Sequence, residues 1–542
     1  MADFPPWVWD IPERFNIGAA CTDAHLGTPV AARAAVIVDD DAAGVRQATF
    51  AELAAATSRF AECLRQLGIA RGARVLVRLP NCLAYPIVFL GAMKRAAIPV
   101  PTSVLLTPEE VLHLARDSGA TAVVTDQTSW GALQSAFEGL DHLTHVLLVG
   151  PGEARSARLR VLPLDAALAA ITRFEDAEPT RAEDPAYLVY TSGTTGYPKG
   201  VLHAHRALLG RQPSSTYWFD FRPEGDRVLH SGKFNWTYVL GTGLMDPLYR
   251  GHTAIVHEGA NDAALWPRLI ARHGATIFIG VPTIYRQILQ KTRATRADVS
   301  TLRHCMSAGE HLSEAVLAAW RERFGLDIYE GLGMTECSYY LCQTRSRPLR
   351  PGAAGFAQPG HDVSVLDPQT WNEVGTDEEG MLCIPRTDPG LMLGYWNQPE
   401  ETAACFHGDW FLSGDYARRD ADGYLWFLGR KDDLLKSFGY RVSPHGVERV
   451  LKEHPEVADA AVTGEEVAPE KLIVVAYVVP RPGSSVRPDD VAAYARGRLA
   501  SYKAPKVVYL VDDLPRTRNG KLLRRALTPA SARARSGGIE GQ

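Results

Sequence analysis

The sequence predicts a large α/β N-terminal domain of layered sheets and helices, followed by a small α+β C-terminal domain. In the first half of the chain, amphipathic helix patterns alternate with short apolar runs, which favours layers built on largely parallel sheets. Near residue 430 the pattern changes, and a glycine followed by charged residues, Gly429–Asp433, is typical of an interdomain hinge. We therefore expect domains at residues 1–430 and 431–542.

Local signals support each predicted element. Capping boxes at Thr49–Glu52 and Thr107–Glu110 predict helices that run to about Leu67 and about Ser118. The strands predicted in the large domain are Arg74–Leu79, Thr121–Thr125, Ala186–Tyr190 and Ala275–Gly280. In the small domain we expect helices over Val447–His454 and Val491–Leu499, and strands over Val457–Thr463 and Leu472–Val479.

Composition excludes several classes of function. The 542 residues carry a formal net charge of −4, which gives neither a basic footprint for nucleic acid nor a polybasic membrane anchor. No apolar run approaches the roughly 20 residues that span a bilayer, and the N-terminal residues lack the pattern of a signal peptide. The eight cysteines are scattered without a CxxC pair, so we expect reduced thiols in a cytoplasmic protein.

The segment Tyr190–Gly200, YTSGTTGYPKG, is the most informative stretch of the chain. Its hydroxyl side chains, its glycines and Lys199 suit an anion such as polyphosphate, because they offer hydroxyl donors, accessible backbone N–H groups and a positive charge. The spacing is not that of a Walker A loop. On composition alone, a flexible Ser/Thr/Gly turn is an equally good interpretation.

TSGTTGYPKG resembles the signature loop of the adenylate-forming superfamily, which includes acyl-CoA synthetases. Five further segments match the motifs of that superfamily in the same order: Ser307–Leu312, Glu330–Glu336, Trp410–Asp433, Lys436–Glu448 and Pro515–Arg524. The resemblance implies an ATP-dependent ligase that converts a carboxylic acid to its acyl-adenylate and transfers the acyl group to coenzyme A. It also implies ATP, Mg²⁺ and coenzyme A as cofactors, and a monomer or homodimer without nucleic-acid or membrane partners.

The resemblance also implies roles for individual residues. Catalysis would involve Lys521, Thr335 and Glu336, of which Glu336 would bind Mg²⁺, while Asp432 would be the hinge and Ser437 and Gly439 would lie beside coenzyme A. The nucleotide would be held by Thr191, Ser192, Gly193, Thr194, Thr195, Lys199, Gly309, Glu310, Gly331, Leu332, Gly333, Met334, Asp415, Arg430 and Arg441. Leu332 departs from the tyrosine that many members have there, which weakens the expectation of aromatic stacking on adenine.

Simple structural roles are the alternative for several of these residues. Asp415 neighbours a glycine and could be a turn residue, and Lys521 could be a solvated charge beside an Asn-Gly turn. His203 and His205 follow the phosphate-type loop, but lone histidines are more often structural than catalytic. The ordered set of six motifs favours the functional interpretation for Asp415 and Lys521.

The segment Lys233–Gly251 resembles the acyl-pocket stretch of medium-chain and aryl acyl-CoA ligases. Phe234, Trp236 and Gly241 are the predicted pocket residues, and a bulky indole would shorten the channel, although Trp236 could instead be a core aromatic. Phe89–Glu110 and Ala275–Tyr285 resemble benzoate-CoA ligases. We expect an aromatic, short-chain, medium-chain or branched monocarboxylic acid, and poor use of palmitate.

Three other functions share parts of this pattern. A stand-alone adenylation enzyme would load a carrier protein, yet no carrier segment follows Thr528. A luciferase-like oxidoreductase would share the architecture but use oxygen. A non-catalytic nucleotide-binding protein is disfavoured because both Glu336 and Lys521 are present.

Overall fold

A computed structural model describes residues 4–152, 155–191, 198–310, 312–430, 435–437, 440–468, 471–516 and 522–528. The strands are β1 Ala34–Asp40, β2 Gly44–Thr49, β3 Arg74–Arg78, β4 Ile98–Pro101, β5 Ala122–Asp126, β6 His145–Val149, β7 Arg160–Pro163, β8 Pro185–Thr191, β9 Lys199–Ala204, β10 Arg227–His230, β11 Thr253–Glu258, β12 Ile277–Gly280, β13 His304–Ser307, β14 Ile328–Met334, β15 Ser338–Cys342, β16 Phe356–Ala357, β17 Ser364–Leu366, β18 Glu379–Pro385, β19 Gly394–Tyr395, β20 Phe406–His407, β21 Trp410–Arg419, β22 Leu425–Arg430, β23 Leu435–Ser437, β24 Tyr440–Val442, β25 Val457–Ala468, β26 Lys471–Pro480 and β27 Val507–Leu510.

The α-helices are α1 Ile17–Ala20, α2 Phe50–Gln66, α3 Ala84–Lys94, α4 Pro108–Ser118, α5 Gln127–Glu138, α6 Leu164–Ala169, α7 Gln212–Tyr217, α8 Thr237–Leu240, α9 Asp246–Tyr249, α10 Leu265–His273, α11 Pro282–Lys291, α12 Glu314–Phe324, α13 Pro399–Ala404, α14 Pro444–Lys452 and α15 Pro488–Arg496. A π-helical turn, Gly241–Met245, joins α8 to α9. Both predicted capping boxes are confirmed at α2 and α4, since in each the threonine hydroxyl and the glutamate carboxylate exchange hydrogen bonds with the backbone.

Two sheets confirm the prediction of parallel pairing. One runs in the order β4-β3-β5-β6-β7 with every pair parallel. The other has nine strands in the order β16-β15-β14-β13-β12-β10-β11-β1-β2, parallel from β14 to β1 and antiparallel at both ends. Helices α2 and α3 pack between these sheets, where Phe60 and Phe89 share one core with Val36 and Val75.

Two further sheets are antiparallel, which the sequence analysis did not anticipate. The predicted strand at Ala186–Tyr190 exists, but β8 pairs antiparallel with β9, and β9 with β19. Strands β17, β18, β20, β21 and β22 form the other antiparallel sheet. Connections shorter than a crossover helix join β8 to β9 and β21 to β22, so antiparallel pairing follows from their length.

The last described part of the chain has a sheet of its own, in the order β24-β23-β26-β25 with β27 beside β26. Its core joins Val442 and Leu451 to Val462, Ala476 and Val491, so α14 and α15 cover the sheet. The four elements predicted for this region all occur, with ends shifted by a few residues at most.

Within the described residues, no helix combines the length and the apolar character that crossing a membrane requires. All eight cysteines are unpaired, and six of them are buried.

Candidate active site

A cleft with a volume of about 530 Å³ lies between the nine-stranded sheet and the last part of the chain. The carboxyl ends of parallel strands β10, β12 and β13 meet here, and the residues after them line the cleft, as is general for ligand sites in α/β sheets. Residues of the large part that line it include Trp236, Tyr238, Gly309, Glu310, Glu330, Gly331, Leu332, Gly333, Met334, Thr335, Asp415 and Arg430. From the other side it is lined by Glu448, Lys452, Asp459, Arg516, Leu522 and Arg524, among others.

The turn after β13 brings Gly309 against Trp236. Gly309 has a φ of +87°, and a Cβ atom there would lie 3.4 Å from Cη2 of Trp236. Glycine therefore permits both the left-handed backbone and the close approach of the indole. This contact joins the predicted nucleotide segment to the predicted acyl pocket.

Two acidic side chains of the cleft are partly buried. Burial raises the pKa of Glu310, against the effect of Arg516 and of the hydroxyl of Thr283, which donates to Glu310 Oε2 over 2.9 Å. Burial raises the pKa of Glu330 to about 8, although the backbone N–H of Leu312 donates to its Oε1 over 3.1 Å. Glu330 is therefore mainly protonated at neutral pH, which makes it a hydrogen-bond donor.

The glycines of the segment Glu330–Glu336 are explained by packing. A Cβ atom at Gly331 would lie 2.4 Å from Cζ2 of Trp218, and one at Gly333 would lie 2.1 Å from the carbonyl oxygen of Ser338. Leu332 and Met334 pack on a neighbouring apolar core. Close packing thus holds this strand at the edge of the cleft.

Thr335 and Glu336 end that segment and are both anchored. His203 Nε2 donates to the carbonyl oxygen of Thr335 over 2.7 Å, and burial lowers the pKa of His203 to about 3, so its ring is neutral. The hydroxyl of Tyr395 donates to Glu336 Oε1 over 2.8 Å, and burial together with this carboxylate raises the pKa of Tyr395. These bonds show that His203 has a structural role toward the site.

Lys199 begins β9 and Thr191 ends β8, so the two flank the phosphate-type loop. Lys199 Nζ lies 2.6 Å from Glu401 Oε2 and 5.3 Å from the ring centre of Tyr395. The lysine therefore lies beside the Tyr395–Glu336 pair, and Lys199, Tyr395 and Glu336 are not among the described residues that line the cleft.

Asp415 and Arg430 are register partners on β21 and β22. Asp415 is buried, and its Oδ1 lies 3.7 Å from Nε of the half-exposed Arg430. A buried carboxylate beside a guanidinium offers acceptors and donors together at the edge of the cleft.

Several predicted site residues lie outside the described residues: Ser192, Gly193, Thr194, Thr195, Asp432, Gly439 and Lys521. For Ser437 and Arg441 only the backbone is described, in β23 and β24. Arg516 and Leu522, on either side of the segment that contains Lys521, both line the cleft.

The predicted acyl-pocket residues have different positions. Trp236 lines the cleft, and its ring centre lies 5.2 Å from that of Tyr238. Phe234 is instead fully buried in the core, 5.2 Å from the ring of Tyr85, and is not among the described lining residues. Gly241 is also buried and is not among them, but a Cβ atom there would lie 3.1 Å from the hydroxyl oxygen of Tyr339, a residue that does line the cleft.

Comparison with known proteins identifies the architecture around this cleft. A model described as AMP-binding enzyme matches residues 27–396, and one described as AMP-binding enzyme C-terminal domain matches residues 446–521. The chain belongs to the AMP-binding enzyme family. The adenylate-forming fold that the motifs predicted is thereby confirmed.

Several similar members of the family act on aromatic acids according to their names. The benzoate–CoA ligase of Thauera aromatica is 35% identical over 97% of this chain and 98% of that protein. The 3-hydroxybenzoate–CoA ligase of an Aromatoleum species is 32% identical over 94% of this chain and 97% of that protein. A crystal structure of an anthranilate CoA ligase with anthranoyl-AMP has a TM-score of 0.86 at 30% identity, covering 96% of this chain and 98% of the other.

Sequence reasoning missed the residues that join the two sides of the cleft. Asp459 contacts Lys452 at 2.9 Å, Arg516 at 2.8 Å and Arg286 at 3.3 Å, and Arg516 also lies 3.9 Å from Glu310. Burial would raise the pKa of Asp459, but these cations hold it well below its usual range. No local pattern predicts these contacts, because Asp459 is 57 positions from Arg516 and 173 positions from Arg286. Glu330, Tyr238 and Arg516 could have been found, since each lies inside a segment already singled out.

Proposed function

We propose that the acid activated by this chain is an aromatic monocarboxylic acid. The chain is an AMP-forming acid–CoA ligase of its family and works through an acyl-adenylate. The observation that supports an aromatic acid is the cleft itself, in which Trp236 and Tyr238 lie beside Gly309 and Glu330. Flat aromatic walls next to the adenylate segment suit a planar ring better than a long flexible chain.

The reaction has two steps. A carboxylate oxygen of the acid attacks the α-phosphorus of ATP, so that an O–P bond forms and pyrophosphate leaves with the electrons of the broken bond. The thiol sulfur of coenzyme A then attacks the acyl carbon, loses its proton and displaces AMP. Negative charge accumulates on phosphate oxygens in the first step, so fixed positive charges and hydrogen-bond donors dominate catalysis there.

We assign the predicted nucleotide residues to these steps as follows. The loop between Thr191 and Lys199 would hold the β- and γ-phosphates, and Thr335 would contact the α-phosphate. Asp415 would bind the ribose, as carboxylates do in dinucleotide sites, and Arg430 would also contact the nucleotide. Lys521 would neutralise charge in the adenylation step, and Arg441 would help to orient the phosphate.

Magnesium is part of the proposal. Glu336 supplies the hard carboxylate that Mg²⁺ prefers, and the described residues hold no cluster of three or more ligating side chains that would bind a metal without substrate. The ligand set would therefore include phosphate oxygens, with the hydroxyl of Tyr395 orienting the carboxylate. Once bound, the ion would neutralise part of the charge on the phosphates.

We also propose that the small domain begins at residue 431 and that Asp432 is its pivot. The change of sheet between β22 and β23 supports this boundary. Lys521 would serve adenylation, whereas Ser437 and Gly439 would lie beside coenzyme A in the second step. One cleft would then serve both steps after rotation of the small domain.

A panel of acids tests the proposal. The purified chain is given ATP, Mg²⁺ and benzoate, cyclohexanecarboxylate, isobutyrate, hexanoate or palmitate, with and without coenzyme A, while pyrophosphate, AMP and thioester are measured. We expect benzoate to give AMP and benzoyl thioester at a high rate, and palmitate to give little of either.

Other outcomes favour the alternatives. Adenylate formation without thioester in the presence of coenzyme A would favour a carrier-loading enzyme, and oxygen uptake or light would favour a luciferase-like enzyme. A preference for isobutyrate or hexanoate over benzoate would overturn the aromatic assignment but not the ligase activity.

A further inference from the structure

The positive charge at the start of β9 is already paired with a carboxylate. Lys199 Nζ lies 2.6 Å from Oε2 of Glu401, and within the described residues this is the ion pair that each of the two side chains forms. The side chain of Lys199 is 18% exposed, whereas that of Glu401 is 54% exposed. The lysine is therefore held mostly within the protein, while the carboxylate has room to turn into solvent.

Hydrogen bonds hold the backbone of Glu401 close to β9. Strand β19 pairs with β9, and helix α13, which carries Glu401, follows β19 directly. The hydroxyl of Thr402 accepts the backbone N–H of Tyr395 over 2.8 Å and donates to the carbonyl oxygen of Gln398 over 2.9 Å. These bonds fold the first turn of α13 back onto β19, so the position of Glu401 beside Lys199 is built into the backbone.

Two carboxylates near this lysine have different surroundings. Lys199 Nζ lies 5.3 Å from the ring centre of Tyr395, within the range in which a cation is attracted to an aromatic face. The hydroxyl of Tyr395 donates to Glu336, which would bind Mg²⁺. Glu401 accepts from the lysine and, within the described part of the chain, from no other side chain. The charge of Glu401 thus acts on the site through Lys199.

A phosphate oxygen that binds Lys199 would meet the negative charge of Glu401. Charge-assisted hydrogen bonds have lengths near 2.8 Å, so the phosphate oxygen would lie within about 6 Å of the carboxylate while the ion pair remains formed. Like charges at this separation repel appreciably near a protein surface. If the carboxylate turns away instead, the ion pair is lost. In both cases Glu401 lowers the affinity of the lysine for phosphate.

We propose that Glu401 is a positioning residue that competes with phosphate oxygens for Lys199, lowers the affinity for pyrophosphate and so favours its release after the first step. This inference rests on the proposed function, in which Lys199 contacts the β- and γ-phosphates. Those two phosphates leave together as pyrophosphate, and Glu401 replaces them at Nζ. The lysine is therefore paired both before ATP binds and after pyrophosphate leaves.

The test removes the charge of Glu401 and keeps the size of its side chain. The dissociation constant of pyrophosphate is measured by calorimetric titration in Mg²⁺ for wild type and Glu401→Gln, together with KM for ATP and for benzoate. We expect pyrophosphate to bind about two- to five-fold more tightly to the variant, the range typical of an exposed ion pair. The KM for ATP should fall as well, and the KM for benzoate should stay at the wild-type value.

Glu400→Gln is the matched control. Glu400 is the neighbour of Glu401 in the first turn of α13, is also exposed, and forms no hydrogen bond or ion pair of its side chain within the described residues. The change in net charge is the same, so this variant should keep the wild-type dissociation constant. High ionic strength should reduce the gain in Glu401→Gln. The melting temperature of each variant shows that it is folded.

Two results would overturn the inference. One is unchanged or weaker binding of pyrophosphate to Glu401→Gln, and weaker binding would indicate that Glu401 holds Lys199 in place for the phosphates. The other is equal tightening in Glu400→Gln, which would indicate an effect of net charge alone. If wild type binds no pyrophosphate and yields AMP from no acid, the proposed function fails as a whole, and wild type alone reveals that outcome.

Discussion

Glu330 is a side chain whose surroundings conflict with its usual charge. Its carboxyl is partly buried at the wall of the cleft, and within the described residues it forms no ion pair and accepts one backbone hydrogen bond. Desolvation therefore dominates, and it favours the protonated form. Where a buried acid lines a ligand site, its proton becomes available to an acceptor on the ligand.

The raised pKa of Glu330 predicts a pH dependence of stability. The carboxyl has a pKa of about 8 in the folded chain and an ordinary value near 4.5 when exposed, so the folded state retains a proton that the unfolded state loses. The stability that this group contributes is complete below the lower pKa and is lost as the pH rises through the upper one. Glu330→Gln should therefore raise the melting temperature relative to wild type, and more at about pH 8.5 than at about pH 5.5.

The exposed Glu224 provides the control, because Glu224→Gln removes a carboxyl that lies in solvent. Its melting temperature should follow that of wild type at both pH values. A difference between Glu330→Gln and wild type that is the same at both pH values would contradict the prediction.

Residue positions at the acyl pocket show how far sequence reasoning reaches. Trp236 lines the cleft as the segment predicted, but Phe234 two positions earlier lies in the core. A turn in which the N–H of Trp236 donates to the carbonyl of Lys233 separates the directions of the two side chains. Neither composition nor spacing predicts that turn. The acyl-pocket segment could therefore be predicted, but the contacts of its individual side chains could not.

At the scale of elements, an ion pair connects helix α11 to strand β25. Arg286 on α11 and Asp459 on β25 face each other across the cleft, and Arg516 links Asp459 to Glu310 after β13. Ion pairs of partly buried side chains are screened less than surface pairs, so they contribute to the relative position of the elements. In the described arrangement they hold Arg516 and Leu522 at the cleft wall.

Removing the positive charge of Arg286 should therefore affect one half-reaction more than the other. Arg286→Ala should slow acyl-adenylate formation several-fold and leave thioester formation from supplied acyl-adenylate nearly unchanged, because it frees the small domain from the arrangement with Arg516 at the cleft. High ionic strength should reduce the difference between wild type and variant. The two half-reactions are measured separately at low and high salt.

Arg272 gives a matched control, since it also pairs with a buried aspartate, Asp39, but both residues belong to the large part of the chain. Arg272→Ala should slow neither half-reaction selectively. Equal loss of both half-reactions in Arg286→Ala would instead indicate a general loss of structure.

At the scale of the whole molecule, the nine-stranded sheet and the last described part of the chain meet at one cleft. Two helix starts and six of the strands could be predicted, because capping boxes and apolar periodicity are local signals. The antiparallel sheets and the ion pairs across the cleft could not, since they depend on which distant segments pair. The ordered motifs nevertheless predicted Thr335 and Asp415 as residues of one site, and both line the cleft.

The proposed division of labour predicts the behaviour of Lys521→Ala. If Lys521 neutralises charge during adenylation alone, the variant should lose acyl-adenylate formation by about a hundred-fold or more, as is typical for removal of a group that stabilises transition-state charge. Thioester formation from supplied acyl-adenylate should remain largely intact. Lys506→Ala, which removes a lysine bonded to the carbonyl of Ser501, should change neither step.

The hydrogen bond between His203 and Thr335 has a consequence for the geometry of the site during the catalytic cycle. It joins the hairpin that carries Lys199 to the turn after β14 that carries Thr335 and Glu336, through a ring whose pKa of about 3 leaves it uncharged at neutral pH. Under the roles proposed for Lys199 and Thr335, two walls of the phosphate site are therefore connected within the large domain. The proposed rotation of the small domain would then leave the distance between these walls unchanged, and the phosphate site would keep its geometry from one turnover to the next.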